Sequence, residues 1–140
     1  MILIIEDSDT DFEALKRAFE RSGFEDPVHR CSTAEKAVEY IKMASDNETY
    51  KQPCLIMLDL NLPGMSGIDF LQHIRSEEGT KMLPVLIFTS SNSEDDILEC
   101  YRQGANSYFV KPLDVEKLYH IVDRVKEYWF QLSKIPSMCS

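Results

Sequence analysis

The stretch Cys54-Leu55-Ile56-Met57-Leu58-Asp59-Leu60-Asn61-Leu62-Pro63-Gly64 decides how the chain folds. Five apolar residues run without a break into an aspartate, and a Pro-Gly turn signal follows. A strand with one face in water alternates apolar and polar residues, whereas a run apolar at every position suits a parallel strand covered on both faces. Ile2-Leu3-Ile4-Ile5 and Val85-Leu86-Ile87-Phe88 are runs of the same kind, and Val28 to Cys31 and Ser107-Tyr108-Phe109-Val110 are two weaker ones.

Between these runs lie helical patterns. Phe12, Leu15 and Phe19 keep one face of a first helix apolar, and Leu118, Ile121, Val122 and Val125 do so for a last one. Ser32-Thr33-Ala34-Glu35 has capping-box spacing, with Ser32 as the expected N-cap and Glu35 reaching back to it. Ser66, Ser93 and Asp114 stand at further N-cap positions, and Gly104 where a helix stops. Strand then helix, five times over, predicts an α/β three-layer (βα)5 sandwich with a parallel five-stranded sheet.

Composition sets the outer bounds. The 140 residues, 44% hydrophobic and 28% charged, suit one globular domain with a real core. Fifteen Lys and Arg against 24 Asp and Glu leave a formal net charge of −9, which argues against nucleic acid and against anionic membrane as partners. No apolar run approaches the roughly 20 residues of a bilayer span, and Met1 to Asp7 lacks the basic region of a signal peptide. Cys31, Cys54, Cys100 and Cys139 form no Cys-x-x-Cys pair, so reduced thiols and a cytoplasmic setting are expected.

In a parallel α/β sheet, ligands bind outside the carboxyl ends of the strands. Glu6 and Asp7 follow the first run, Asp59 the third, Thr89 the fourth and Lys111 the fifth; the second ends without a comparable group. Three carboxylates at one edge repel one another unless a cation joins them, and oxygen ligands of this type suit Mg2+. An ammonium and a hydroxyl aimed at the same point would stabilise phosphoryl oxygens, and one carboxylate could act as nucleophile and become an aspartyl phosphate.

The residues Leu3-Ile4-Ile5-Glu6-Asp7-Ser8, Leu58 to Gly67, Pro84 to Ser90 and Gly104 to Pro112, in this order and spacing, resemble the receiver domain of bacterial two-component response regulators. The resemblance implies a flavodoxin-like sheet of order 2-1-3-4-5, with Asp59 on its central strand. It implies that Asp59 accepts a phosphoryl group from a sensor histidine kinase. Mg2+ would be held by Asp7, Asp59 and the backbone carbonyl of Asn61, with Glu6 assisting. Thr89 would bind a phosphoryl oxygen, Lys111 would pair with the phosphate, and Tyr108 would be the aromatic switch. Asn61 and Ser91 would tune the phosphoryl lifetime, and the Lys111–Pro112 bond would be cis. A long connection from Met43 to Pro53 and a Glu-Tyr-Trp tail are similar to a subfamily of stand-alone receivers, whose best-known members answer cyanobacterial phytochrome kinases.

The expected organisation is a receiver over residues 1–127, with 128–140 as helix end and tail and no output domain. Tyr128, Trp129 and Phe130 are consecutive and on a helix point about 100° apart, so they cannot all face one core. A homodimer through this helix and the neighbouring strand-five surface is the expectation. A haloacid-dehalogenase-type phosphohydrolase would need a second Asp two residues after the nucleophile, where this chain has Asn61. His29, His73 and His120 are not grouped, which makes this the acceptor half of a phosphotransfer pair and not an enzyme beyond its own phosphorylation and slow dephosphorylation. The alternative is an interaction module of the same fold that works without phosphorylation.

Overall fold

A computed structural model describes residues 1–136. Five strands alternate with five helices: β1 Ile2–Ile5, α1 Asp9–Arg21, β2 Val28–Cys31, α2 Ala34–Asp46, β3 Leu55–Leu58, α3 Gly67–Ser76, β4 Val85–Thr89, α4 Glu94–Arg102, β5 Ser107–Val110 and α5 Val115–Lys126. The strands form one parallel sheet in the order β2-β1-β3-β4-β5, the flavodoxin-like arrangement.

The continuous apolar runs are explained by this order. β1, β3 and β4 are interior strands buried at every residue, whereas β2 and β5 are edges and only partly covered. Side chains alternate between two apolar layers. Leu3, Ile5, Ile56, Leu58 and Ile87 meet Phe70, Leu71 and Ile74 of α3 on one face. Ile2, Ile4, Met57, Leu86 and Phe88 meet Phe12, Leu15 and Phe19 of α1 and Leu118, Val122 and Val125 of α5 on the other. Burying each of these large side chains contributes about 1.5–3 kcal/mol, so both layers are substantial.

Most start signals sit where the sequence places them. The side chains of Ser66, Ser93 and Asp114 accept from the backbone N–H of Asp69, Asp96 and Glu116, respectively. Gly104, at φ +95°, follows the end of α4. The capping box is corrected by one residue. Thr33, not Ser32, caps α2 by accepting from the Lys36 N–H, and Glu35 turns away to accept from the Met65 N–H. The Met43–Pro53 connection is likewise shorter than expected, because α2 continues to Asp46. No cis peptide bond occurs among the described residues, so Lys111–Pro112 is trans and not cis. X–Pro bonds intrinsically favour trans by about 0.5–1 kcal/mol, and Lys111 reaches its partners in that isomer.

Beyond Lys126 the chain makes one π-helical turn, Glu127–Leu132, closed by the Ser133 N–H donating to the Tyr128 carbonyl. Trp129 and Phe130 lean onto the α1/α5 core, where Phe130 meets the Phe24 ring edge-on at 4.9 Å, while Tyr128 is 55% exposed. Cys31, Cys54 and Cys100 are thiols; Cys139 lies outside the described residues. No helix among the described residues is long and apolar enough to cross a membrane.

Gly67 opens α3 directly against the β3 terminus. A Cβ there would lie 2.4 Å from the Asp59 carbonyl oxygen and 2.7 Å from the Leu60 Cα, both backbone. Gly67→Ala is expected to destabilise the protein by about 1–3 kcal/mol in urea denaturation. Gly79→Ala, which meets nothing within 4 Å, should stay within about 0.5 kcal/mol of wild type.

Candidate functional site

The strand-end residues are fixed by the sheet's own ladder, carried one step past each strand. The Glu6 N–H donates to the Cys31 carbonyl, the Asp59 N–H to the Ile5 carbonyl and the Lys111 N–H to the Thr89 carbonyl. Their side chains therefore leave the sheet at one level, at its carboxyl edge.

There the Lys111 ammonium lies 2.6 Å from Glu6 Oε1, 2.8 Å from Asp11 Oδ2 and 3.0 Å from Asp59 Oδ2. Glu6 and Asp59 are buried, Asp11 is partly exposed and Asp7 faces solvent. One carboxylate oxygen from each of Glu6, Asp7 and Asp59 can be chosen so that all three lie within 4.8 Å of one another. The Thr89 hydroxyl is fully buried and has no hydrogen-bond partner. An unsatisfied buried hydroxyl is costly, so a polar atom entering beside it would relieve that cost.

The two buried acids are driven apart electrostatically. Burial pushes the Asp59 carboxyl up, but the Lys111 hydrogen bond and charge, the nearby Thr89 hydroxyl and the Asn61 N–H (3.3 Å from Oδ1) outweigh it, so its pKa lies below the usual value. Thr89 acts on it by proximity, since its hydroxyl falls outside hydrogen-bonding geometry. Glu6 goes the other way: burial, with the Asp59 charge adding to it, wins over Lys111 and the Ser8 N–H and raises its pKa to about 7. Burial alone would lower the Lys111 pKa, but bonds to Asp11, Glu6 and Asp59 raise it. At neutral pH the site thus holds an ionised, buried Asp59 beside a firmly charged ammonium.

Tyr108 is half-buried at the β5 edge, and its hydroxyl donates to the Ser91 carbonyl at 2.9 Å. The Ser91 hydroxyl in turn donates to Asp96 Oδ2 at 2.5 Å. Glu6, Asp7, Asp59, Thr89 and Lys111 are brought to one edge as the sequence predicts. Two participants are not anticipated. Asp11 enters from the first turn of α1, one helical turn beyond Asp7. Arg30 enters from β2, donating to the Glu6 carbonyl at 3.0 Å. Both contacts bridge residues far apart in the chain, so only the folded register exposes them.

A flavodoxin-like α/β protein carrying an acid–lysine–threonine cluster at the end of its central strand is the class that fold and site define. Residues 2–123 match the response regulator receiver domain family, and the chain belongs to that family. It is 33% identical to the probable methanogenesis regulatory protein FilR2 of Methanothrix harundinacea, over 97% of this chain and 87% of that protein. It also superposes on the phosphorylated cyanobacterial phytochrome response regulator RcpA with a TM-score of 0.89 and 30% identity, over 97% of each chain. The Mn(2+)-bound form of response regulator Rcp1, a protein of Synechocystis sp., gives a TM-score of 0.87 and 27% identity over 97% of this chain and 98% of that one.

Because the Glu6 pKa is raised to about 7, the folded state binds a proton that the unfolded chain has lost. Glu6 therefore withdraws stability as pH rises through that range. The melting temperature of Glu6→Gln relative to wild type should increase between about pH 5 and about pH 8, and a flat or falling difference would contradict this assignment.

Proposed function

We propose that the chain is a phosphoacceptor switch: Asp59 takes a phosphoryl group from the phosphohistidine of a sensor histidine kinase and so changes the surface offered to a partner. The observation that carries this reading is a buried yet ionised Asp59 bonded to Lys111, with the orphaned Thr89 hydroxyl beside it. An Asp59 carboxylate oxygen attacks phosphorus, the P–N bond breaks, and its electron pair returns to the imidazole. Lys111 then pairs with the new phosphate oxygens, and the Thr89 hydroxyl gains the acceptor it lacks.

The oxygen-only donor set fits a hard divalent ion. Asp7, Asp59 and the Asn61 carbonyl would hold Mg2+, with Glu6 assisting. When bound, the ion supplies positive charge that screens the attacking carboxylate from the phosphoryl oxygens. Thr89 moving toward the phosphate would draw the Tyr108 ring with it and rearrange the Ser90–Ser93 loop that Tyr108 holds through Ser91. Asn61, exposed two residues beyond Asp59, and Ser91 would tune hydrolysis.

The chain is 30% identical to the phosphorylated phytochrome response regulator, which favours a phytochrome-type kinase as donor. We assign the receiver to residues 1–127, and the segment 128–140 with the strand-five surface to a homodimer contact, supported by the exposure of Tyr128 and Leu132 in the tail and of Val110 in β5. The activity is confined to its own phosphorylation and slow dephosphorylation, in the cytoplasm, with no nucleic acid or membrane as ligand.

Intact mass after incubation with acetyl phosphate and Mg2+ tests the chemistry. One phosphoryl adduct is expected, absent without the metal and absent in Asp59→Asn. No adduct under any condition would leave a receiver-fold interaction module that works without phosphorylation. Light scattering of the same samples should give a mass twice the 16.2 kDa of the chain, and a 16.2 kDa species throughout would contradict the dimer.

A further inference from the structure

The loop Glu6–Asp9 carries two of the acids that define the site, and its conformation is not left to the loop alone. Arg30, on the edge strand β2, reaches across β1 to it. Its Nε donates to the Glu6 backbone carbonyl at 3.0 Å, and its Nη1 lies 2.6 Å from Asp9 Oδ1. The guanidinium also sits 5.1 Å over the ring of Phe12, a buried residue of α1. Thus one planar group touches the loop at its first residue, at its last, and at the helix that follows. The guanidinium side chain is 21% exposed, against 89% for Asp9. An ion pair with so exposed a partner adds little stability by itself. What the arrangement fixes is geometry: the Glu6 carbonyl and the α1 N-terminus are tied to the same rigid fork, and Asp7 is suspended between them.

We infer that Arg30 is a positioning residue for the divalent-metal site, acting through the Glu6–Asp9 loop to place the Asp7 carboxylate opposite Asp59. The inference rests on the metal site of the proposed function. Groups behind a metal's own ligands typically change metal affinity by about 10–100-fold when removed. Arginine suits the task because its Nε and Nη1 donate in two directions fixed by one rigid plane; a lysine donates from a single atom on a flexible stem and does not hold Asp9 and the Glu6 carbonyl in that fixed relation.

The test uses Mn2+ as probe, with free Mn2+ followed by electron paramagnetic resonance in titrations of unphosphorylated protein, alongside thermal melting. Wild type should bind one Mn2+. Arg30→Ala should bind it roughly ten-fold more weakly. Arg30→Lys, which keeps an aliphatic stem and a cation against the Phe12 ring, should recover melting temperature while its Mn2+ affinity stays low, a split that a purely structural role would not give. Mn2+ affinity within about two-fold of wild type in Arg30→Ala overturns the inference. If Arg30→Ala does not fold, wild-type affinity in Arg30→Lys overturns it in the same way. A wild type that binds no Mn2+ refutes the metal site itself, a failure distinct from that of Arg30.

Discussion

The ammonium of Lys111 between Glu6, Asp11 and Asp59 is the contact on which the rest of the site depends. Two unit charges about 4 Å apart near a protein surface interact by about 4 kcal/mol, so the buried Glu6 and Asp59 could not both ionise side by side without a cation between them. Lys111 attracts both, and the outcome is uneven: Asp59 stays ionised below the usual carboxylate range while Glu6 rises to about 7. The asymmetry leaves one carboxylate ionised and one acid that yields its charge readily. A phosphoryl group or a metal ion entering the cluster would compete for interactions already made, so loading the site must reorganise Lys111. That would give the site a mechanical connection to β5, the strand that carries Tyr108 and leads directly into Lys111.

The fold supplies the precision this cluster needs. Glu6, Asp59 and Lys111 are each anchored by a backbone hydrogen bond to the neighbouring strand, so their positions are set by sheet register and not by loop conformation. Behind them two apolar layers clamp the interior strands. The close approach of Gly67 to the Asp59 carbonyl packs α3 against the end of the central strand, where a methyl group would not fit. The polar edge is the opposite case: a buried hydroxyl without a partner and acids held in place against mutual repulsion are unfavourable features that the apolar layers offset.

Much of this is legible in the sequence because it is local. A strand buried on both faces must be apolar at every residue, which exposes β1, β3 and β4 directly, and serine or aspartate ahead of an apolar period exposes α3, α4 and α5. The strand-end rule then gathers Glu6, Asp7, Asp59, Thr89 and Lys111 without any pairwise contact being known. The failures have physical reasons too. Ser32 and Thr33 are both competent caps; Thr33 caps the helix, and Glu35, which a capping box would turn back to Ser32, accepts instead from the Met65 N–H of a distant loop. Asp11 and Arg30 act through contacts 100 and 24 residues apart in the chain, which no local pattern encodes. In the tail the three consecutive rings do not share one core, as their spacing predicts: Trp129 and Phe130 pack on the core and Tyr128 points outward, on a π turn that the sequence does not announce.

The central claim is that Asp59 itself is the covalent acceptor, and reductive trapping tests it most directly. Borohydride converts an aspartyl phosphate to homoserine, and peptide mass mapping then reports which residue carried it. After treatment with acetyl phosphate and Mg2+, homoserine should appear at position 59 and at no other aspartate. Homoserine at Asp7 or Asp11, or none at position 59 in protein that has gained a phosphoryl adduct, would contradict the account.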